Sequence, residues 1–231
     1  MTELDPSAYD VLTFDCYGTI IDWDRGVVDT FRPVLAARGA REVSDAELLD
    51  LYARVERELE HGRHRLYRVV VGDALRRIAE ELGATPITDE EADAAGGSVG
   101  TWPPFPDSAA ALARLQKRYR LIAVTNCDDD LFAGSQAQLG LRFDEIVTAQ
   151  QVGAYKPDHR MFEAAFRRAG VPRERILHVA QSLYHDHEPA RELGLTSVWI
   201  DRRGQGTTAG TTAAPALVLP DLATLADRLD G

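Results

Sequence analysis

Val11-Leu12-Thr13-Phe14-Asp15-Cys16-Tyr17-Gly18-Thr19 is the stretch on which the reading of the chain turns. Its first four residues form a short, mostly apolar run suited to a buried strand, and Gly18-Thr19 end it abruptly. Asp15 therefore falls at the carboxyl end of a strand, the edge at which open α/β sheets hold their ligands. Taken alone, an aspartate in this position serves equally well as the cap of a following helix. Partners at three later strand ends favour the chemical reading.

Working outward, short apolar runs at 121–125, 145–148, 176–180, 197–200 and, more weakly, 216–219 predict further strands. Helical patterns at 108–118, 129–139, 159–169 and 188–193 lie between them. This alternation implies βαβ units, hence an α/β fold with a parallel sheet and right-handed crossovers. Residues 23–101 break the rhythm, with helical periodicity and little strand character, and Ser44 followed by Glu47 looks like a capping box. Pro103-Pro104-Phe105-Pro106 cannot continue a helix and returns the chain to the sheet. The expected division is a core of residues 1–22 and 102–231 and a helical cap of 23–101. Rooted beside the Asp15 strand end, the cap is well placed to act as a lid. A Gly/Thr-rich loop at 204–212 carries no chemistry.

With 231 residues the chain can bury a large core, and its 27% charged and 45% hydrophobic content is ordinary for a globular protein. A net charge of −11 argues against nucleic acid or an anionic membrane surface as a partner. No apolar run approaches the roughly 18 residues of a membrane span. The acidic start, Met1-Thr2-Glu3-Leu4-Asp5, lacks the layout of a secretion signal, so a cytoplasmic location is expected. Cys16 and Cys127 give no disulfide framework and are expected as buried packing thiols near one another.

Four strand ends deliver polar residues in order. The first gives Asp15 and Thr19, the second Thr125-Asn126, and Lys156 follows the third in Tyr155-Lys156-Pro157-Asp158. The fourth runs into Gln181-Ser182-Leu183-Tyr184-His185-Asp186. A parallel sheet gathers such ends onto one pocket. Adjacent residues diverge around a helix or strand, so His185-Asp186-His187 is not expected to form a metal site. Trp23 suits either a pocket wall or plain core.

This order resembles the haloacid dehalogenase superfamily, and Asp15-Cys16-Tyr17-Gly18-Thr19 with Tyr155-Lys156-Pro157-Asp158 is similar to the motifs of its 2-haloacid dehalogenase branch. The resemblance spans nearly the whole chain. It implies a doubly wound, Rossmann-like core with an inserted helical cap, and hydrolysis through an aspartyl ester. Asp15 is then the nucleophile and Lys156 a fixed cation beside it, while Thr19 orients Asp15 and Asp186 activates water. Phosphatase relatives carry an acid where Tyr17 stands and another where Gln181 stands. A tyrosine, with a pKa of about 10, protonates a leaving alkoxide poorly, and losing a carboxylate weakens a magnesium site. A halide needs neither, so the expectation is a cofactor-free enzyme; Mg²⁺ enters only in the alternative reading as a phosphatase.

The resemblance implies a small carboxylic acid as substrate, with Tyr17, Thr125, Asn126, Arg54 and Gln181 as candidate contacts. Arg54 stands for the cap arginine expected near 51–54, with Arg57 as its rival. The chain departs from the branch at Leu183, where an asparagine is expected, and at Phe162 in place of a tyrosine. A non-catalytic carboxylate-binding relative is the third reading. The apolar faces of the cap helices permit a homodimer.

Overall fold

The computed structural model describes residues 4–206 and 210–230, so part of the loop expected at 204–212 lies outside the described residues. The strands are β1 (Val11–Phe14), β2 (Arg120–Thr125), β3 (Glu145–Thr148), β4 (Ile176–Ala180), β5 (Thr196–Ile200) and β6 (Leu217–Leu219). They form one sheet in the order β3-β2-β1-β4-β5-β6, with every neighbouring pair parallel. Helices α1 (Trp23–Ala37), α2 (Asp45–Glu60), α3 (Tyr67–Glu81) and α4 (Asp89–Ser98) follow β1 without an intervening strand. The remaining helices alternate with the strands: α5 (Ser108–Leu115), α6 (Asp129–Leu139), α7 (Ala149–Val152), α8 (His159–Ala169), α9 (Glu188–Glu192) and α10 (Leu222–Asp230). This is the doubly wound α/β core with an inserted helical cap.

Every residue of β1 and β4 is buried, as in a sheet covered on both faces. The winding reverses between these two neighbours: β1 leads to β2 on one side, whereas β4 lies on the other. Open sheets hold ligands above such a switch point, and both Asp15 and the 181–186 segment emerge there. Asp15 itself stays tied to the sheet, its N–H donating to the Val179 carbonyl at 3.0 Å. Gly18, at φ +91°, then supplies a backbone turn that a side chain would strain.

Two element ends differ from expectation. The helix predicted over 108–118 stops at Leu115, where Lys117 N–H turns back to the Arg114 carbonyl at 3.1 Å. Ser44 does cap α2, accepting from Glu47 N–H at 3.2 Å, but the Glu47 carboxylate is engaged by Arg41 at 2.8 Å. The reciprocal capping box forms instead at Thr88 and Glu91, opening α4.

The cap is held at its root and at several points on its underside, among them Tyr155 Oη donating to the Arg65 carbonyl at 2.9 Å and the ion pair of Arg68 with Asp130. At the root the outgoing and returning chains pair: Asp22 N–H donates to Pro103 O at 2.8 Å and Phe105 N–H to Ile20 O at 3.0 Å. Underneath, the buried Asp128 carboxylate accepts from the N–H groups of Tyr67 (2.7 Å) and Arg68 (3.0 Å). A core side chain thus satisfies donors left free at the start of α3. Within the cap, α4 approaches α3 so closely that a Cβ on Gly96 would lie 2.2 Å from the Arg68 carbonyl oxygen. Gly96→Ala should therefore force the two helices apart and lower stability by about 1–3 kcal/mol in urea unfolding, despite alanine's better helix propensity.

Candidate functional site

Lys156 is 2% exposed, and its Nζ donates to Asp15 Oδ1 and to Asp186 Oδ1, both at 2.7 Å. One ammonium therefore joins the end of β1 to the turn after β4. Thr19 Oγ donates to the other Asp15 oxygen at 2.6 Å and accepts from the Gln181 N–H at 2.8 Å. Asp186 Oδ1 also meets His178 Nε2 at 3.0 Å, and the far ring nitrogen of that histidine meets the Thr13 hydroxyl at 2.8 Å. Asp186 Oδ2 is buried without a hydrogen-bond partner, and the residue lines the cavity above Asp15.

Three charges in so dry a place shift one another. Burial lifts the Asp15 carboxyl above its ordinary value, opposed by the Lys156 ammonium. Burial acts on Asp186 in the same direction, but Lys156 and His178 together hold its carboxyl below the usual range. Burial disfavours the Lys156 ammonium, yet the two carboxylates keep it charged beyond the usual lysine range. At about 4 Å and an effective dielectric near 20, a unit pair is worth roughly 4 kcal/mol, enough to keep a carboxylate ionised in such a pocket.

Of the substrate contacts expected from the sequence, four lie at or beside the same place. Thr125 and Asn126 line the cavity. Asn126 clamps the segment carrying Lys156, accepting from its N–H at 2.6 Å and donating to its carbonyl at 3.1 Å. Tyr17 lines the cavity too, with its hydroxyl 2.9 Å from Ser135 Oγ and 3.3 Å from Cys127 Sγ. Cys16 and Cys127 are buried thiols pushed up by burial, Cys127 to about 12, which leaves them as inert packing groups. Gln181 contributes its backbone N–H and, through its side chain, contact with the Gly18 turn.

Arg54 is not brought in. It is paired with Glu58 and Glu81 on the exposed face of α2. Its rival Arg57 lies over the Tyr184 ring at 4.8 Å and lines a neighbouring cavity. The inward face of α2 runs through Leu48, Tyr52, Val55 and Glu56. Helical spacing from Tyr52 therefore aims Glu56 and Glu60 at the pocket and Arg54 away from it.

Glu56, Glu60, Trp23 and Tyr67 form the cap side of the cavity, and His185 faces them from the core. Tyr67 Oη donates to Glu56 at 2.5 Å. Burial, with the Glu60 carboxylate beside it, pushes Glu56 up to about 7. His185 Nε2 lies 3.6 Å from Glu60, which raises its pKa despite burial. The sequence offered one signal for this wall, the i, i+4 pair of acids continuing the apolar stripe of α2. His178 gave none beyond its place in a buried strand. His185, Asp186 and His187 diverge: His187 meets Ser197 at 2.8 Å and the Ala180 carbonyl at 2.9 Å, on the side away from Lys156. Among the described residues, no three His, Cys, Asp or Glu side chains are grouped to hold a metal.

Residues 9–194 match the family model described as haloacid dehalogenase-like hydrolase. An (S)-2-haloacid dehalogenase of Pseudomonas putida is 26% identical over 231 residues, covering 94% of this chain and 95% of its own. Another, from Pseudomonas sp. (strain YL), is 29% identical over 204 residues, covering 84% of this chain and 83% of its own. The solved structure of L-2-haloacid dehalogenase from Xanthobacter autotrophicus superposes with a TM-score of 0.81 at 21% identity, covering 96% and 99% of the two chains.

Removing the ammonium should expose its importance to the fold as well as to the site. Lys156→Met leaves two buried carboxylates facing each other, and the expected loss is about 3–5 kcal/mol in urea unfolding at neutral pH. That loss should shrink at acid pH, where one carboxylate takes up a proton.

Proposed function

Because the chain belongs to the haloacid dehalogenase-like hydrolases, we propose that Asp15 is its nucleophile and that hydrolysis runs through an ester of that side chain. The observation that carries this reading is the Lys156 ammonium bridging Asp15 and Asp186, with Thr19 fixing the second Asp15 oxygen. A carboxylate held in this way is charged and oriented toward the cavity.

In the first step an Asp15 oxygen bonds to an electrophilic carbon while the bond from that carbon to its leaving group breaks. The bonding pair departs with the leaving group. Relatives named (S)-2-haloacid dehalogenases support a halide in that role. A halide requires no proton, which suits a pocket where Tyr17 takes the place of an acid. Splitting the reaction through an ester turns one hard displacement into two easier steps.

In the second step a water oxygen adds to the Asp15 carboxyl carbon, and its proton passes to the free Oδ2 of Asp186. Collapse breaks the bond between that carbon and the substrate oxygen. The product alcohol takes one of the two protons of the water, the other is released to solvent, and the Asp15 carboxylate is restored. Held below the ordinary range, Asp186 is a weak base, so its main contribution is to aim the water. Thr125 and Asn126 support the anion that forms nearby. The cap of residues 23–101, over a core of 1–22 and 102–231, excludes bulk water during these steps. The carboxylic-acid substrate expected through Arg54 gets no guanidinium from the cap, so its recognition group is not part of this proposal.

Two measurements test the chemistry. A single turnover in heavy-oxygen water should place label in the Asp15 side chain, read by mass spectrometry of its peptide; label in the product alone would exclude the ester. The nucleophile must be ionised, so activity is lost as pH falls through the pKa of Asp15. Since that value is raised, the acid limb of kcat/KM should lie above pH 3.8.

A further inference from the structure

The cap wall of the Asp15 cavity is acidic and aromatic where an anionic substrate would need cations. Glu56 is 8% exposed, and the Glu60 side chain is 7% exposed. Both stand one helical turn apart on the inward face of α2. Tyr67, Tyr17 and Trp23 complete the wall, the first two with ring centroids 6.4 Å apart. Among the described residues lining the cavity, the basic ones are Lys156 and His185. Lys156 is committed to Asp15 and Asp186, and His185 is drawn toward Glu60. Asp186 lines the same space and carries a buried carboxylate oxygen without a hydrogen-bond partner. With four carboxyl groups and two basic groups around it, the cavity repels a second anion and attracts a cation.

We propose that Glu56 and Glu60 select a substrate bearing a cationic nitrogen, a small alkylammonium whose electrophilic carbon is presented to Asp15. This rests on the reading of Asp15 as nucleophile at the same cavity. Carboxylates give the ammonium its counter-charge, while the rings of Tyr67, Tyr17 and Trp23 line the space that takes the alkyl groups. Tyr67 ties the two contributions together, since its hydroxyl orients Glu56 while its ring forms the wall.

The geometry also sets a pH dependence. The titratable groups facing Glu56 are Glu60 on its own helix, Tyr52 and Tyr67 within the cap, and His185 from the core. Across the cavity stand Asp15, Lys156 and Asp186. On acidification Glu56 becomes neutral near pH 7 and His185 gains a charge, and both changes oppose a bound cation.

Matched probes test the assignment. Propylammonium and propionate, which share an alkyl chain, are titrated by calorimetry into the full chain and into its Glu56→Gln and Glu60→Gln variants. Propylammonium should bind the wild type more tightly than propionate does. Each variant should weaken it about tenfold while leaving propionate unchanged or improved. In the wild type its affinity should fall about tenfold or more between about pH 8 and about pH 5.5, an arm that stands even if a variant fails to fold. Tighter binding of propionate, variants that leave propylammonium unchanged, or a flat pH profile would overturn the proposal. These probes undergo no reaction, so the result is independent of whether Asp15 takes up isotope. Chloride release from 3-chloropropylammonium in preference to 3-chloropropionate is the expected outcome when both readings hold.

Discussion

A single buried ammonium is the interaction on which the arrangement depends. Lys156 is carried by the segment after β3, yet it bonds to the residue after β1 and to the turn after β4. Two carboxylates brought together in a dry crevice repel each other, and without a cation between them one would take up a proton. The lysine allows both to stay charged and fixes where they point. Asn126 holds the lysine's own backbone in turn, so the second strand also contributes, although indirectly. Each of four strand ends is therefore needed, and the doubly wound topology is what brings them to one edge.

Chemistry and selectivity divide between the two parts of the molecule. In the proposed reaction the core supplies a charged, oriented oxygen and a means of aiming water. The cap supplies the wall that a substrate meets, and that wall is built from one face of α2 and the start of α3. A helix presents a fixed set of residues inward, so exchanging a cation for an acid on that face changes what is recognised without disturbing the machinery beneath. This separation explains how relatives that share the core chemistry can differ in the group that holds the substrate.

Strand placement was legible in the sequence because a strand buried on both faces is a short, mostly apolar run, and 11–14 and 176–180 match theirs end to end, as does the half-buried edge strand 145–148. Asp15 was legible for a related reason, since it follows such a run directly, while Lys156 and Asp186, several residues past β3 and β4, were read through the motifs around them. The cap wall was not. Arg54 and Glu56 differ by two positions on α2, and which of them faces inward is decided by the rotation of the helix about its axis. The stripe of Leu48, Tyr52 and Val55 carries that information, whereas the resemblance pointed to an arginine near 51–54 without fixing the register. His178 escaped notice because a polar residue inside a strand shows its purpose only when its neighbours across the sheet are known.

The carboxylate of Asp128 has a consequence for traffic through the cleft. It gathers the first amides of α3, so the helix that carries Tyr67 is stitched to the floor of the protein. Swinging that helix outward would strip a buried anion of its donors at the same moment that it bared the pocket. Opening the cleft on that side therefore carries the cost of uncovering a buried charge, in addition to parting Arg68 from Asp130 and Tyr155 from the Arg65 carbonyl.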